Sequence, residues 1–317
     1  MRIVVLDGYT VNPGDNSWEA LAHLGDLTVY DRTPPELVVP RAAAADVVLV
    51  NKVALGAETL TELPQLRFVS VLATGYNVVD VAAARRRAIP VANVPEYGTD
   101  SVAQHVFALL LELCHRVGAH DRAVHAGDWV RAPDFCFWLA PPIELAGLTL
   151  GLIGYGRIAR RVAEMARAFK MNVIAAASSA AELSGNDVAR ADLATVFATA
   201  DIVSVHCPLT AANARFVNAE LLGRMKPSAF FINTARGGLV DEQALADALN
   251  EGRLAGAALD VVATEPMRPD TPLLTARNCI ITPHLAWGSL AARRRLLATT
   301  VENVRAFLAG KPINVVN

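Results

Sequence analysis

Three segments of this chain carry polar residues at the ends of hydrophobic runs, where side chains could do chemistry. In Phe231-Ile232-Asn233-Thr234-Ala235-Arg236-Gly237-Gly238, Arg236 offers a planar fork that can hold a carboxylate through two hydrogen bonds. In Leu259-Asp260-Val261-Val262-Ala263-Thr264-Glu265-Pro266, Asp260 closes an apolar run and Glu265 sits in a loop fixed by Pro266. In Ile280-Ile281-Thr282-Pro283-His284-Leu285-Ala286-Trp287, a histidine follows a proline beside a tryptophan. A carboxylate beside an imidazole favours the protonated ring, which suits acid–base work near neutral pH. Taken singly, each of these reads more simply as a surface or hydrogen-bonded loop residue.

A fourth segment gives them a context. Gly154, Gly156 and Ala159 stand in the spacing G-x-G-x-x-A after the apolar run 148–153. Ile158, Val162, Met165, Ala166 and Phe169 follow at helical spacing. Strand, glycine turn and helix together form a dinucleotide fingerprint. Gly154 permits the tight turn, Gly156 lets the backbone approach a pyrophosphate, and Ala159 packs helix on strand. The helix N-terminus then offers free N–H groups and partial positive charge to the phosphates.

The elements that must carry these residues are short. Runs rich in Val, Ile and Leu at 2–7, 27–30, 46–51, 67–72 and 89–92 alternate with helical stretches such as 17–23 and 79–87. A second series has strands at 148–153, 171–176, 201–206, 229–233, 256–260 and 280–282, with helices at 241–251 and 290–309. Such alternation predicts parallel sheets with helices on both faces. The expected organisation is a substrate domain, 1–100 with 287–317, into which a dinucleotide-binding domain, 101–286, is inserted. The segment 102–117 is apolar nearly all round, which requires cover on every side. A place between domains, in a subunit interface or in a core would satisfy it.

Composition narrows the function. With 53% hydrophobic and 19% charged residues and a net charge of -2, the 317 residues describe a soluble globular protein without electrostatic reason to meet nucleic acid or an anionic membrane. The segment 102–117 is interrupted by Gln104, His105, Glu112 and His115, which argues against a membrane span, and the first residues read as a strand and not as a signal peptide. Cys114, Cys136, Cys207 and Cys279 form no C-x-x-C pair, so reduced thiols in the cytoplasm are expected. His115, His120 and His125 repeat every five residues and turn to different helix faces, so no metal is expected. No G-x-S-x-G turn signals a nucleophilic hydrolase.

Read together, Leu72-Ala73-Thr74-Gly75-Tyr76-Asn77, Gly154-Tyr155-Gly156-Arg157-Ile158-Ala159, His206-Cys207-Pro208-Leu209-Thr210, Asn233-Thr234-Ala235-Arg236-Gly237, Asp260-Val261 with Glu265-Pro266, and Thr282-Pro283-His284 resemble the D-isomer-specific 2-hydroxyacid dehydrogenases over essentially the whole chain. The segments 6–10 and 97–103 are most similar to the glycerate dehydrogenase (hydroxypyruvate reductase) branch. The resemblance implies two doubly wound domains, a Rossmann nucleotide-binding domain inserted into a flavodoxin-like one. It implies that Arg236 holds the substrate carboxylate and 2-oxo group, that His284 exchanges a proton with the substrate oxygen, and that Glu265 orients His284. It also implies that the backbone at Ala73, Thr74 and Gly75 receives the carboxylate and that Asp260 binds the nicotinamide carboxamide. Val102, Gly154, Tyr155, Gly156, Arg157, Ile158, Ser178, Ser179, His206, Cys207, Pro208, Thr234, Ala235, Arg236 and His284 are the remaining expected cofactor contacts.

The implied activity is NAD(P)H-dependent reduction of hydroxypyruvate or glyoxylate to D-glycerate or glycolate, by a homodimer. Another D-2-hydroxy acid is the alternative substrate, and a non-catalytic NAD(H)-sensing scaffold resembling corepressors is the alternative class. Phe135, Phe137, Trp138 and Trp287 suit either an aromatic-walled pocket or a core. Two positions depart from the family pattern. Ala177 stands where an acid commonly binds the adenosine ribose, which leaves NADP acceptable and even preferred, with Ser178, Ser179 and Arg157 as phosphate contacts. Lys170 stands where relatives usually have glycine after the helix.

Overall fold

Runs of β-branched residues too short to be helices, separated by helical stretches, fold into two parallel sheets. The structure is a computed structural model and describes residues 1–177 and 188–317. The chain divides into two compact units, Met1–Gly98 with Trp287–Asn317, and Thr99–Ala286.

The first unit runs β1 (Arg2–Val5), α1 (Glu19–Ala22), β2 (Asp26–Val29), α2 (Val38–Ala42), β3 (Val47–Val50), α3 (Ala57–Thr61), β4 (Phe68–Val71), α4 (Val81–Arg86) and β5 (Val91–Ala92). The strands are all parallel in the order β2-β1-β3-β4-β5, the flavodoxin-like order. Every residue of β3 and β4 is buried, as a sheet covered on both faces demands. The order reverses between β1 and β3. There Asp7, just past β1, accepts the backbone N–H groups of Asn51, Lys52 and Val53 and so shapes the loop after β3. Burial pushes the Asp7 carboxyl up, and these donors only partly oppose it.

The second unit runs α5 (Thr99–His115), α6 (Val117–His125), α7 (Asp128–Arg131), β6 (Thr149–Ile153), α8 (Arg157–Ala168), β7 (Asn172–Ala176), β8 (Ala189–Arg190), α9 (Leu193–Thr199), β9 (Ile202–Val205), α10 (Ala219–Leu222), β10 (Phe230–Asn233), α11 (Glu242–Asn250), β11 (Gly256–Leu259) and β12 (Cys279–Ile281). Its seven parallel strands are ordered β12-β11-β10-β9-β6-β7-β8, a Rossmann arrangement with its reversal between β6 and β9. Helices α5 and α8 pack on one face of this sheet. Helices α9 to α11 cover the other. The long apolar helix is therefore a core element of its own unit, with Gln104, Ala108 and His115 left exposed. It starts three residues before the expected 102 and ends at His115, because Arg116 turns left-handed at φ 49. Strand β8 was not foreseen; two residues are too few to show a period.

Helix α8 ends on an unusual residue. Lys170 is left-handed at φ 58, and its N–H reaches the Arg167 carbonyl while the Met171 N–H reaches that of Ala166. That is a Schellman ending, which most often carries glycine at this position. The chain re-enters the first unit through α12 (Leu290–Leu308), capped by Ser289, whose Oγ accepts the Ala292 N–H. Arg293, nearly buried, grips Asp15 through two hydrogen bonds and holds its carboxyl below the usual range. Phe307 stacks on Phe68 with ring centroids 4.5 Å apart.

Candidate active site

The glycine turn lies at the sheet's reversal. Gly154 has φ 84, and a Cβ there would stand 2.9 Å from the backbone N of Cys207, so both conformation and space demand glycine. Gly156 is different. Its φ of -77 is open to any residue, and a Cβ would meet no atom of the described residues within 4 Å. Among the described residues, no contact accounts for glycine at this position, and the open space would admit a ligand against the backbone. The N-terminus of α8 begins at the next residue, Arg157.

A cavity of about 1180 Å³ opens here, lined by Gly154, Tyr155, Gly156 and Arg157 from the turn and by His206, Cys207 and Pro208 from the end of β9. Two segments far apart in sequence thus share one cavity. Ala177 lines it as well, together with Arg160, Arg190 and Asp192, none of which stood out in the sequence. Arg190 arrives there because β8 pairs with β7, setting it opposite Ala175. Asp192 accepts the Thr195 N–H as the cap of α9, and that hydrogen bond lowers its pKa. His206 is neutral at physiological pH, since burial pushes its imidazole down to about 4, and its Nε2 lies 2.9 Å from Ser204 Oγ. Burial likewise pushes the Cys207 thiol up. Of the other expected cofactor contacts, Val102 is buried in α5 and Ile158 packs against the core; neither lines this cavity. Ser178 and Ser179 lie outside the described residues.

The chemistry-bearing residues leave the carboxyl ends of three adjacent strands, β10, β11 and β12. After β10, the buried Asn233 shapes the turn to Arg236: its Oδ1 accepts the Ala235 N–H and its Nδ2 donates to the Arg236 carbonyl. The sequence showed Asn233 in a motif but not this role. The turn then packs so closely on the next loop that a Cβ on Gly237 would fall 1.9 Å from the Val262 carbonyl carbon. Arg236 itself is exposed, with Nη1 on the Ala235 carbonyl. Thr234 Oγ1 is buried without a hydrogen-bond partner among the described residues, which leaves it to a ligand or water.

After β11 and β12, Glu265 and His284 meet. His284 Nδ1 lies 2.7 Å from Glu265 Oε2, and both side chains are only partly exposed. An ionised carboxylate can only accept, so the proton on this bond is on Nδ1, and Nε2 remains for chemistry. Asp260 sits behind them, 1% exposed. Its Oδ1 accepts from the Thr282 hydroxyl and the Leu285 N–H, and its Oδ2 from the Ala286 N–H. Burial pushes the Asp260 carboxyl up, but hydrogen bonds from Thr282, Ala286 and Leu285, together with the His105 imidazole beside it, outweigh it and hold the group below its ordinary pKa.

In the first unit, the segment 73–75 follows the carboxyl end of β4. Thr74 is fixed there, its hydroxyl on the Val94 carbonyl and its own carbonyl accepting from Asn93 Nδ2. Phe135 and Trp138, 89% and 61% exposed, belong to no core. Trp287 does pack inside the first unit, edge-on to Tyr97. Among the described residues, no three His, Cys, Asp or Glu side chains are grouped to hold a metal, and no helix is long and apolar enough to cross a membrane.

Comparison with known proteins fits this geometry. Residues 107–286 match the family model described as D-isomer specific 2-hydroxyacid dehydrogenase, NAD binding domain. The chain is 48% identical to a hydroxypyruvate reductase of Blautia hydrogenotrophica over the full length of both. It is 42% identical to a glycerate dehydrogenase of Methylorubrum extorquens over 90% of each chain. Among solved structures, an NADPH-dependent glyoxylate/hydroxypyruvate reductase from Sinorhizobium meliloti, in complex with NADP and malonate, superposes with a TM-score of 0.86 at 30% identity, covering 99% of this chain and 96% of that one.

Proposed function

The chain belongs to the D-isomer-specific 2-hydroxyacid dehydrogenase family, and from that premise we propose that it reduces hydroxypyruvate and glyoxylate to D-glycerate and glycolate. When bound, a nicotinamide dinucleotide supplies the hydride. The open space at Gly156, the α8 N-terminus, the cavity beside it and the unpartnered Thr234 hydroxyl fit such a cofactor. Arg236 holds the substrate carboxylate with its planar fork. His284 delivers a proton from Nε2 to the substrate's 2-oxo oxygen, and in the reverse direction takes it back. Glu265 holds Nδ1, which fixes the ring's orientation.

The observation that carries the proposal is the 2.7 Å Glu265–His284 bond at the end of neighbouring strands. The test is spectrophotometric: oxidation of NADPH and NADH by hydroxypyruvate, glyoxylate and bulkier 2-oxo acids. Wild type should turn over hydroxypyruvate and glyoxylate, and His284→Ala should lower kcat by about 100-fold or more, the scale of a lost general acid. A His284→Ala enzyme as fast as wild type would remove this residue from the reaction.

NADP is accepted at least as well as NAD, because Ala177 neither binds a ribose diol nor repels a 2′-phosphate, while Arg157, Arg160 and Arg190 line the same cavity. The protein is a homodimer, supported by the exposed apolar residues Val117, Trp129, Val130, Phe135, Trp138 and Leu139; a monomeric mass in light scattering would exclude it. The free thiols Cys114, Cys136, Cys207 and Cys279 support a cytoplasmic setting, which cell fractionation tests.

A further inference from the structure

His284 is held in a backbone conformation that it would not adopt unaided. Its φ is 51, in the left-handed region, which a non-glycine residue keeps only where neighbours enforce it. The enforcing contacts converge on Asp260, whose backbone carbonyl accepts the His284 N–H at 2.8 Å. Its carboxylate accepts the Thr282 hydroxyl at 2.6 Å and the N–H groups of Leu285 and Ala286 at 2.9 Å each. One buried residue thus holds the chain on both sides of His284.

That arrangement depends on where the Thr282 proton points. Because the hydroxyl gives its only proton to Asp260, its oxygen is left to accept, and the donor facing it is His105 Nε2 at 3.1 Å. The same nitrogen lies 3.5 Å from Asp260 Oδ1. One helical turn earlier in α5, Ser101 Oγ donates to the Ala286 carbonyl at 2.7 Å. Residues four apart share a helix face, so Ser101 and His105 grip the segment 282–286 at its two ends.

Resting on the reading of His284 as the proton donor, we propose that His105 is its positioning residue: the His105 Nε2–H aligns the Thr282 hydroxyl on Asp260 and so keeps the left-handed turn that presents the His284 ring. Without His105 the Thr282 hydroxyl can rotate, Asp260 loses a directed donor, and His284 drifts from its working position. A displacement of about 1 Å in such a group can cost up to 100-fold in rate.

The experiment compares His105→Leu, His105→Gln, Thr282→Val and the double variant His105→Leu/Thr282→Val as full-length enzymes with NADPH and hydroxypyruvate. His105→Leu should lower kcat by about tenfold or more with the KM for NADPH within about twofold. Gln, which can place an N–H near the same point, should restore most of the rate. The double variant should be no slower than the slower single one, since both break one chain of hydrogen bonds. A purely structural role would lower the melting temperature but leave kcat of the folded enzyme intact. A folded His105→Leu enzyme with wild-type kcat, or a Gln variant no better than Leu, overturns the inference. If His105→Leu does not fold, Thr282→Val carries the same test. His284→Ala, run in parallel, separates the two failures. Its inactivity beside an active His105→Leu refutes the positioning role alone, and its full activity refutes the reading beneath it.

Discussion

At the scale of single residues, two glycines two positions apart do different work. Gly154 is required by its φ of 84 and its contact with Cys207, so it belongs to folding, whereas Gly156 leaves open space among the described residues, as the proposed dinucleotide would need. In the proposed function, charge around the same cavity sets which dinucleotide is preferred. A carboxylate at position 177 would favour the ribose hydroxyls of NAD and repel a 2′-phosphate; Ala177 does neither. Arg190 supplies a fixed positive charge on the same wall. The expected outcome is kcat/KM for NADPH at or above that for NADH at saturating hydroxypyruvate. Ala177→Asp should reverse the order, and Arg190→Met should weaken NADPH about tenfold, equivalent to 1.4 kcal/mol, while sparing NADH. A wild-type preference for NADH of about 100-fold would show that another residue reads the ribose.

At the scale of elements, the candidate site residues lie in turns at the carboxyl ends of strands, and α5 contributes Ser101 and His105 from one face. The helix α8 turns its N-terminus towards the cavity, and its other end shows where the chain is not optimal. Lys170 occupies a left-handed site that costs a residue with a Cβ about 1 kcal/mol and costs glycine nearly nothing. Lys170 is exposed, so glycine removes no packing. Lys170→Gly should therefore stabilise the protein by up to about 1 kcal/mol in urea unfolding, less the extra freedom glycine gives the unfolded chain. A clear loss of stability would mean that the lysine side chain contributes more than its backbone costs.

At the scale of the whole molecule, one buried imidazole adds a distinct component to the pH response of stability. The His206 imidazole has a native pKa of about 4, below its ordinary 6.5. The unfolded chain therefore takes up a proton between those values that the native protein refuses. His206 favours the native state above about pH 6.5, and this contribution drains away as the pH falls towards 4. Thermal melts of wild type should show a steeper decline across this window than melts of His206→Gln, which lacks the titrating ring. Parallel curves for the two proteins would place the acid sensitivity in other groups.

Much of this molecule is readable along its own chain. The alternation of apolar runs and helical stretches, and the glycine turn, are local: each depends on residues a few positions apart whose side chains fall on one face. That is why the strands at 148–153 and 201–206 could be bounded nearly as observed, while the two-residue β8 could not. Arg236, Glu265 and His284 stood out as polar residues at the ends of apolar runs, but their chemical roles were legible only through the likeness of the whole motif series. Which groups actually touch was decided by the tertiary structure. Sheet register brings Arg190 to the cavity wall, and α5 carries His105 to Thr282, 177 positions along the chain. A hydrogen bond across that separation leaves no spacing to read. It exists because parallel strands end side by side and a helix crosses beneath them, so the partners of a residue are set by packing and not by its neighbours in sequence.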